Sequence, residues 1–233
     1  MLTAHRLHKR YGEQVALQAL DLDIAPGQIY ALLGPNGAGK TTTIQCFLGF
    51  LQPDGGQVRV DGIDPSTDPA SARTRLAYIP EQVNLYGQFT GDENLHYFAE
   101  LGGHRYSRRE REALLADAGL QAAAFDQRVS AYSKGMRQKV GIAIALAKQA
   151  RALLLDEPTS GLDPSASHEF SRLLQGMADR GVAILMATHD LFRAREVATR
   201  VGIMRGGVIR RELAPSELDA RDLEAIYLEV MAA

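Results

Sequence analysis

The chain has 233 residues, of which 45% are hydrophobic and 23% are charged, proportions that are ordinary for a globular protein with a substantial core. The formal net charge of −2 argues against a global positive field, so composition does not favour nucleic acid as a partner. The single cysteine, Cys46, excludes an intrachain disulfide and is expected to be a buried apolar residue. The sequence shows no secretory signal and no apolar run long enough to cross a bilayer, which predicts a cytoplasmic location.

The first third of the chain predicts mainly strands. Residues 16–24 alternate between apolar and polar, and a Pro-Gly turn at 26–27 leads into the apolar stretch 28–33. Shorter strands are predicted at 57–60 and 76–79.

A glycine-rich loop follows the stretch 28–33 and fits the pattern G-x-x-x-x-G-K-[ST] at every fixed position. Its glycines allow backbone N–H groups to surround a polyphosphate, and the N-terminus of the helix that follows adds partial positive charge. Lys40 is expected to reach the β- and γ-phosphates, and the Thr41 hydroxyl to ligate Mg²⁺. The sequence thus predicts a nucleotide site built from Gly34, Pro35, Asn36, Gly37, Ala38, Gly39, Lys40, Thr41 and Thr42.

From about residue 90 to residue 150 the helical period dominates. Capping-box patterns at Thr90 with Glu93 and at Ser107 with Glu110 predict two helix starts, and a third helix is predicted over 133–149. The first helix is expected to carry on one face Leu95, Phe98, Ala99 and Leu101.

Strands and helices alternate again after residue 150. Buried-type strands are predicted at 152–155 and 182–187, with a helix at 165–179 between them. A hairpin at 201–209 and a closing helix at 222–231 follow. The sequence therefore predicts a parallel α/β core that is interrupted by a mostly helical insert.

Two adjacent carboxylates, Asp156 and Glu157, end the predicted strand 152–155. Alone, such a pair is an ordinary strand cap. Open α/β sheets bind ligands at the carboxyl ends of their strands. Beside a phosphate loop, the pair predicts one carboxylate for a metal ion and one that polarises water.

These motifs, in this order over essentially the whole length, resemble the ATP-binding subunits of ABC transporters. The resemblance implies an α/β fold with a P-loop NTPase core, an N-terminal antiparallel β-subdomain and an inserted helical subdomain. It assigns residues 1–84 and 151–233 to the core and β-subdomain, and about 85–150 to the helical subdomain.

The resemblance also implies roles for single residues. Tyr11 matches the aromatic residue that stacks on adenine, and Gln82 the glutamine that senses Mg²⁺ and the attacking water. Asp156 matches the metal-coordinating aspartate, and Glu157 the general base. His189 matches the histidine that contacts the γ-phosphate, and the other five histidines share no spacing typical of a metal site.

The signature motif of the family has a variant form here. Ser133 and Gly135 keep the positions that contact phosphate, whereas Lys134 and Met136 replace a glycine and a glutamine. Asp163 belongs to the loop that crosses the dimer interface in the family. The variant is similar to that of subunits serving exporters of drugs and polysaccharides, so the resemblance favours export.

The resemblance implies ATP and Mg²⁺ as cofactors, with Lys40 in a catalytic role and Thr41, Gln82 and Asp156 at the metal. It implies a dimer, expected to be a homodimer, that sandwiches two nucleotides. An integral membrane permease would place the chain at the inner face of the cell membrane. The apolar residues after Gln82 suit either a groove for a permease helix or local packing; they are Val83, Leu85, Tyr86 and Phe89.

Three other functions stay open from the sequence. A non-transport mechanochemical ATPase of the same superfamily would usually carry tandem ATPase domains or a long coiled coil, and neither is present in this sequence. A small kinase or GTPase would not explain the signature variant. An importer subunit also remains possible. The only argument for export over import is that the signature variant resembles that of exporter subunits.

Overall fold

Two β-sheets and eight α-helices make up the part of the chain that the structure describes. The structure is a computed structural model, and it describes residues 1–215, 217 and 222–232. The strands are β1 (Leu2–Tyr11), β2 (Gln14–Ile24), β3 (Ile29–Leu33), β4 (Gly55–Val60), β5 (Leu76–Ile79), β6 (Ala152–Asp156), β7 (Ala183–Thr188), β8 (Arg200–Arg205) and β9 (Val208–Leu213). The helices are α1 (Lys40–Phe47), α2 (Pro69–Arg75), α3 (Gly91–Leu101), α4 (Arg108–Asp117), α5 (Lys134–Ala147), α6 (Pro164–Asp179), α7 (Leu191–Val197) and α8 (Leu223–Ala232).

A six-stranded sheet forms the centre, in the order β5-β6-β7-β3-β8-β9. The first five strands are parallel, and β9 pairs antiparallel with β8. Every residue of β3 and β7 is buried, as expected for parallel strands that are covered on both faces. The carboxyl ends of β3, β5, β6 and β7 therefore meet at one edge of this sheet.

A three-stranded antiparallel sheet, in the order β2-β1-β4, packs beside the central sheet. Its alternating residues, such as Leu2, Leu20 and Val58, share an apolar cluster with Ile44 and Phe47 of α1. This packing brings the end of β1 and the start of β2 close to the glycine-rich loop. The N-terminal antiparallel β-subdomain that the resemblance implied is thus confirmed.

Helices α3, α4 and α5 follow β5 and precede β6. Both predicted capping boxes are present, at Thr90 and at Ser107. A buried ion pair joins α4 to the start of α3, because Arg111 Nη2 lies 2.7 Å from Asp92 Oδ2. Leu101 is 72% exposed, so its expected place on one face with the buried Leu95 and Ala99 is wrong, because six residues turn a helix to about 120° from Leu95. The division at about residues 85 and 150 stays a prediction.

Two short helices, α2 and α7, were not predicted from the sequence. Each has seven residues and begins at an Asp cap, Asp68 or Asp190, whose side chain accepts a backbone hydrogen bond. Seven residues are too few to show a helical period. None of the helices in the described parts of the chain has the length and apolarity needed to cross a bilayer. Cys46 is fully buried, as expected.

Candidate nucleotide-binding site

The glycine-rich loop between β3 and α1 depends on two glycines for its close packing. A Cβ atom at Gly39, where φ is 112°, would lie 2.6 Å from the Ala16 carbonyl oxygen. At Gly34 it would lie 2.4 Å from the Met204 carbonyl oxygen. Only glycine allows these approaches, and the resulting turn delivers the chain to the N-terminus of α1 at Lys40.

Lys40 is 6% exposed, and its ammonium group contacts the loop itself. Lys40 Nζ donates a 2.6 Å hydrogen bond to the Gly34 carbonyl and lies 3.4 Å from the Pro35 carbonyl oxygen. It also forms an ion pair with Glu157, with Nζ 3.4 Å from Oε1. The cation is therefore held at the junction of the loop and the end of β6.

Thr41 and Asp156 meet across this junction, where Thr41 Oγ1 donates to Asp156 Oδ2 at 2.9 Å. Burial raises the pKa of Asp156, and the charges of Glu157 and Glu81 act in the same direction, while the Thr41 hydrogen bond opposes them. A second cation would therefore stabilise the ionised form of Asp156. Hydroxyl and carboxylate oxygens are ligands that Mg²⁺ accepts, usually together with phosphate oxygens and water.

The described residues contain no cluster of three or more His, Cys, Asp or Glu side chains that could hold a metal ion alone. A site that needs only Thr41 and Asp156 from the protein is compatible with this result, since a nucleotide would supply further ligands. The residues present thus fit Mg²⁺ bound together with a nucleotide.

Glu157 has a left-handed backbone with φ of 47°, an uncommon conformation for a residue other than glycine. Its Oε2 accepts from Thr188 Oγ1 at 3.1 Å and from the His189 backbone N–H at 3.3 Å. Its buried Oε1 has no hydrogen-bond partner within the described structure. Hydrogen bonds therefore fix Oε2, whereas Oε1 has only the ion pair with Lys40 and keeps its capacity to accept a hydrogen bond or a proton.

His189 follows β7, and its Nδ1 lies 2.9 Å from Glu157 Oε2. The imidazole is 61% exposed, so its other face is accessible from solvent. Thr188 was not singled out in the sequence, although it is 1% exposed and donates directly to Glu157. The available signal for Thr188 in the sequence was that a residue with a hydroxyl group directly precedes the histidine.

Lys40, Thr41, Asp156 and Glu157 border an open cavity of about 280 Å³. Thr188 and His189 do not line it and border a neighbouring cavity of about 290 Å³, which Glu157 also borders. Tyr11, half-exposed at the end of β1, forms one wall. The lining contains one ammonium, that of Lys40, and the three carboxylates of Glu81, Asp156 and Glu157. The other lining residues are Tyr11, Gln14, Ala16, Asn36, Gly37, Gly39, Thr41 and Thr42. The structure thus brings Tyr11, most of the loop and both strand-end carboxylates together. Ala38, in contrast, is buried behind the loop.

Gln82 does not line this cavity, contrary to expectation. It borders a neighbouring cavity of about 390 Å³ together with Val83 and Leu85, whereas Glu81 borders the nucleotide cavity. Ser160 Oγ donates to Glu81 Oε1 at 3.0 Å. In the bend after β5 the two neighbouring residues border different cavities, and the role of Gln82 at the metal and the attacking water stays a prediction. The signal for Glu81 in the sequence was its position as a polar residue directly after Pro80, where β5 has ended.

Ser133, Gly135 and Asp163 also lie outside the lining of this cavity. Ser133 caps α5 by accepting the Met136 N–H at 3.2 Å, and Asp163 caps α6 by accepting the Ala166 N–H at 2.9 Å. A Cβ atom at Gly135 would lie 3.6 Å from Leu162 Cδ2, so the starts of α5 and α6 are neighbours. Within one chain these residues therefore form a second group, apart from the phosphate loop.

Gln138 on α5 joins this second group to the end of β6. It is 1% exposed, and its Nε2 donates to the Pro158 carbonyl, directly after Glu157. Its role could not be predicted from the sequence, because a glutamine inside an apolar helix carries no chemical signal by itself.

Comparison with known proteins gives consistent results. The family model described as ABC transporter matches residues 17–160. A Nod factor export ATP-binding protein from Paraburkholderia xenovorans is 37% identical, over 97% of this chain and 74% of its own length. A daunorubicin/doxorubicin resistance ATP-binding protein from Streptomyces peucetius is 36% identical, over 91% of this chain and 64% of its own. A dimeric ATP-binding cassette in a post-hydrolysis state, bound to ADP and phosphate, has a TM-score of 0.81 and 26% identity, over 92% of this chain and 99% of its own.

Proposed function

The chain belongs to the ABC transporter family as an ATP-binding, ATP-hydrolysing subunit, and from this premise we propose that it powers export through a separate membrane permease. Its place of action would be the inner face of the cell membrane, where the permease holds it. The observation that carries the ATPase part is the meeting of Lys40, Thr41, Asp156 and Glu157 in one cavity. The relatives named for Nod factor export and for drug resistance, and the variant signature, support export.

Hydrolysis in this site would use the two oxygens of Glu157 differently. Thr188 and His189 hold Oε2, so Oε1 is positioned to accept a proton from the attacking water. Lys40 binds the phosphates and stabilises the charge that develops on them. Mg²⁺ held by Thr41 and Asp156 would supply charge neutralisation on the phosphate oxygens. The exposed face of the His189 imidazole would contact the γ-phosphate.

A second subunit would complete each site. Ser133 and Gly135 lie at the N-terminus of α5, where backbone N–H groups and the helix dipole favour an anion, yet they do not border their own chain's cavity. We propose that they face the nucleotide bound by another copy. The dimeric form of the related cassette supports this arrangement. A homodimer is the simplest form, because one chain carries both groups of residues.

The cavity of about 390 Å³ beside α5 is the site that we propose for the permease. Val83 and Leu85 give it an apolar floor, and Lys134 and Arg137 border it. Neither cation forms an ion pair within the described residues. A permease segment that combines apolar residues with an acidic residue would complement this surface.

An importer subunit and a non-transport ATPase remain the alternative functions. Both would use the same hydrolytic site, so only the partner separates them from export.

A pull-down from native membranes tests the proposal. Tagged Glu157→Gln chain with ATP and Mg²⁺ should recover a multi-spanning protein in stoichiometric amount, and the sequence of that protein would separate export from import. Arg137→Glu should lose the partner, whereas Arg172→Glu, an exposed arginine on α6, should keep it. Recovery of ribosomal or DNA-associated proteins, or of no membrane protein, would contradict the transport assignment.

Glu81 and Gln82 can be separated by paired variants. Glu81→Ala should lower kcat for ATP about 10-fold to 100-fold, because it removes a carboxylate beside Asp156 and the contact to Ser160. Gln82→Ala should change the ATPase activity much less, since that side chain borders the other cavity. Steady-state assays over a range of Mg²⁺ concentrations make the comparison. A larger loss from Gln82→Ala would restore the assignment made from the sequence.

A further inference from the structure

Helix α7 follows His189 with Asp190 as its N-cap, and hydrogen bonds of Asp190 link the residue before the histidine to the first turn of the helix. The Asp190 N–H donates to Thr188 Oγ1 at 3.0 Å, and Asp190 Oδ1 accepts the Arg193 N–H at 3.0 Å. Any displacement of α7 would therefore move His189 relative to Glu157. The position of α7 is part of the geometry of the site.

Glu196, near the end of α7, ties this helix to α6. Its Oε2 accepts from Ser171 Oγ at 2.9 Å and from Arg193 Nη1 at 2.7 Å. Its Oε1 lies 2.5 Å from His168 Nδ1. Burial acts to raise the pKa of Glu196, but the hydrogen bonds from His168, Arg193 and Ser171 outweigh it and lower the pKa. The carboxylate is thus held in its charged form between the two helices.

Arg193 extends from this junction toward the loop that precedes α6. Its side chain is 11% exposed, and its Nη2 lies 3.5 Å from the Pro164 carbonyl oxygen. Together with Ser160, Leu162 and His189 it borders a cavity of about 290 Å³. Arg193 therefore shares this cavity with the loop Ser160–Leu162 and with the histidine, and it does not border the nucleotide cavity.

We propose that Arg193, anchored by Glu196, is a positioning residue that couples the loop Ser160–Asp163 to His189. Movement of that loop shifts the start of α6, and the Arg193–Glu196 pair transmits the shift to α7 and so to the histidine. The proposal rests on the role of His189 at the γ-phosphate. It assigns a task to a partly buried charge pair that the hydrolytic mechanism does not otherwise use.

A double-mutant cycle on the full chain tests this coupling. Arg193→Met should lower kcat for ATP about 10-fold and leave KM within about twofold, because positioning and not binding is lost. In a His189→Ala background the same substitution should have no further effect on kcat. Arg195→Met, an exposed arginine on the same helix, is the matched control and should behave as wild type. Arg193→Lys should recover part of kcat, since an ammonium can still reach Glu196.

The possible failures are distinct. Wild-type kcat for Arg193→Met, or an additive loss in the His189→Ala background, would overturn the coupling while leaving the proposed function intact. Wild-type kcat for His189→Ala would overturn both the coupling and the γ-phosphate role of the histidine. If Arg193→Met does not fold, Glu196→Gln and Arg193→Lys are each combined with His189→Ala instead. An additive loss of kcat in either of these cycles again overturns the proposal.

Discussion

Glu157→Gln is expected to lower kcat for ATP hydrolysis about 10²-fold to 10⁴-fold. The amide keeps the size of the side chain, and its oxygen can still accept from Thr188 and His189. The amide nitrogen at the position of Oε1 cannot accept a proton from water, and Oε1 is the oxygen without a hydrogen-bond partner in the described structure. The loss should therefore fall on the chemical step.

The same substitution is expected to keep or tighten ATP binding. Three carboxylates and one ammonium line the nucleotide cavity, and removal of one negative charge reduces its repulsion of a polyanion. Slow hydrolysis then allows the ATP-bound form to accumulate. We expect that this form is a dimer that can be isolated by size exclusion with ATP and Mg²⁺.

Single-turnover kinetics measure the chemical step, and Glu169→Gln on α6 serves as a control with the same change in charge outside the site. Thermal unfolding shows that each variant is folded. If Glu157→Gln hydrolysed ATP near the wild-type rate, another group would have to be the base.

The hydrolytic centre could be predicted largely because its main parts are contiguous in sequence. The phosphate loop carries Lys40 and Thr41 within one motif, and Asp156 and Glu157 end one apolar strand. Parallel strands bring such ends to one edge of a sheet. The 2.9 Å contact between Thr41 and Asp156 follows from this topology.

The fine geometry could not be predicted, because it depends on side-chain direction in irregular segments. Glu81 and Gln82 are neighbours in a bend, and no periodicity tells which of them faces the nucleotide. The left-handed φ of Glu157 is likewise set by its surroundings, among them the Thr188 hydroxyl and the His189 backbone. The contact of Glu157 with Thr188 joins residues 31 positions apart, and that of Glu196 with Ser171 joins residues 25 positions apart.

Lys40→Ala is expected to weaken nucleotide binding at least about 100-fold, since hydrogen bonds to charged groups contribute roughly 1.5–3 kcal/mol each and this ammonium is expected to reach two phosphates. The substitution also leaves Glu157 Oε1 buried without the cation that lies 3.4 Å from it. The three carboxylates of the cavity then face the polyphosphate with no ammonium among its lining residues. Both effects act against ATP.

Calorimetry with a non-hydrolysable ATP analogue and Mg²⁺ measures this loss directly. Lys40→Met keeps most of the side-chain volume, so an equal loss in both variants assigns the effect to charge and not to packing. Lys139→Ala removes an ammonium on α5 that pairs with Glu169 of α6. This variant should bind the analogue as wild type does. Tight binding by a folded Lys40→Ala chain would contradict the phosphate-loop assignment, because no other ammonium borders the cavity in the described structure.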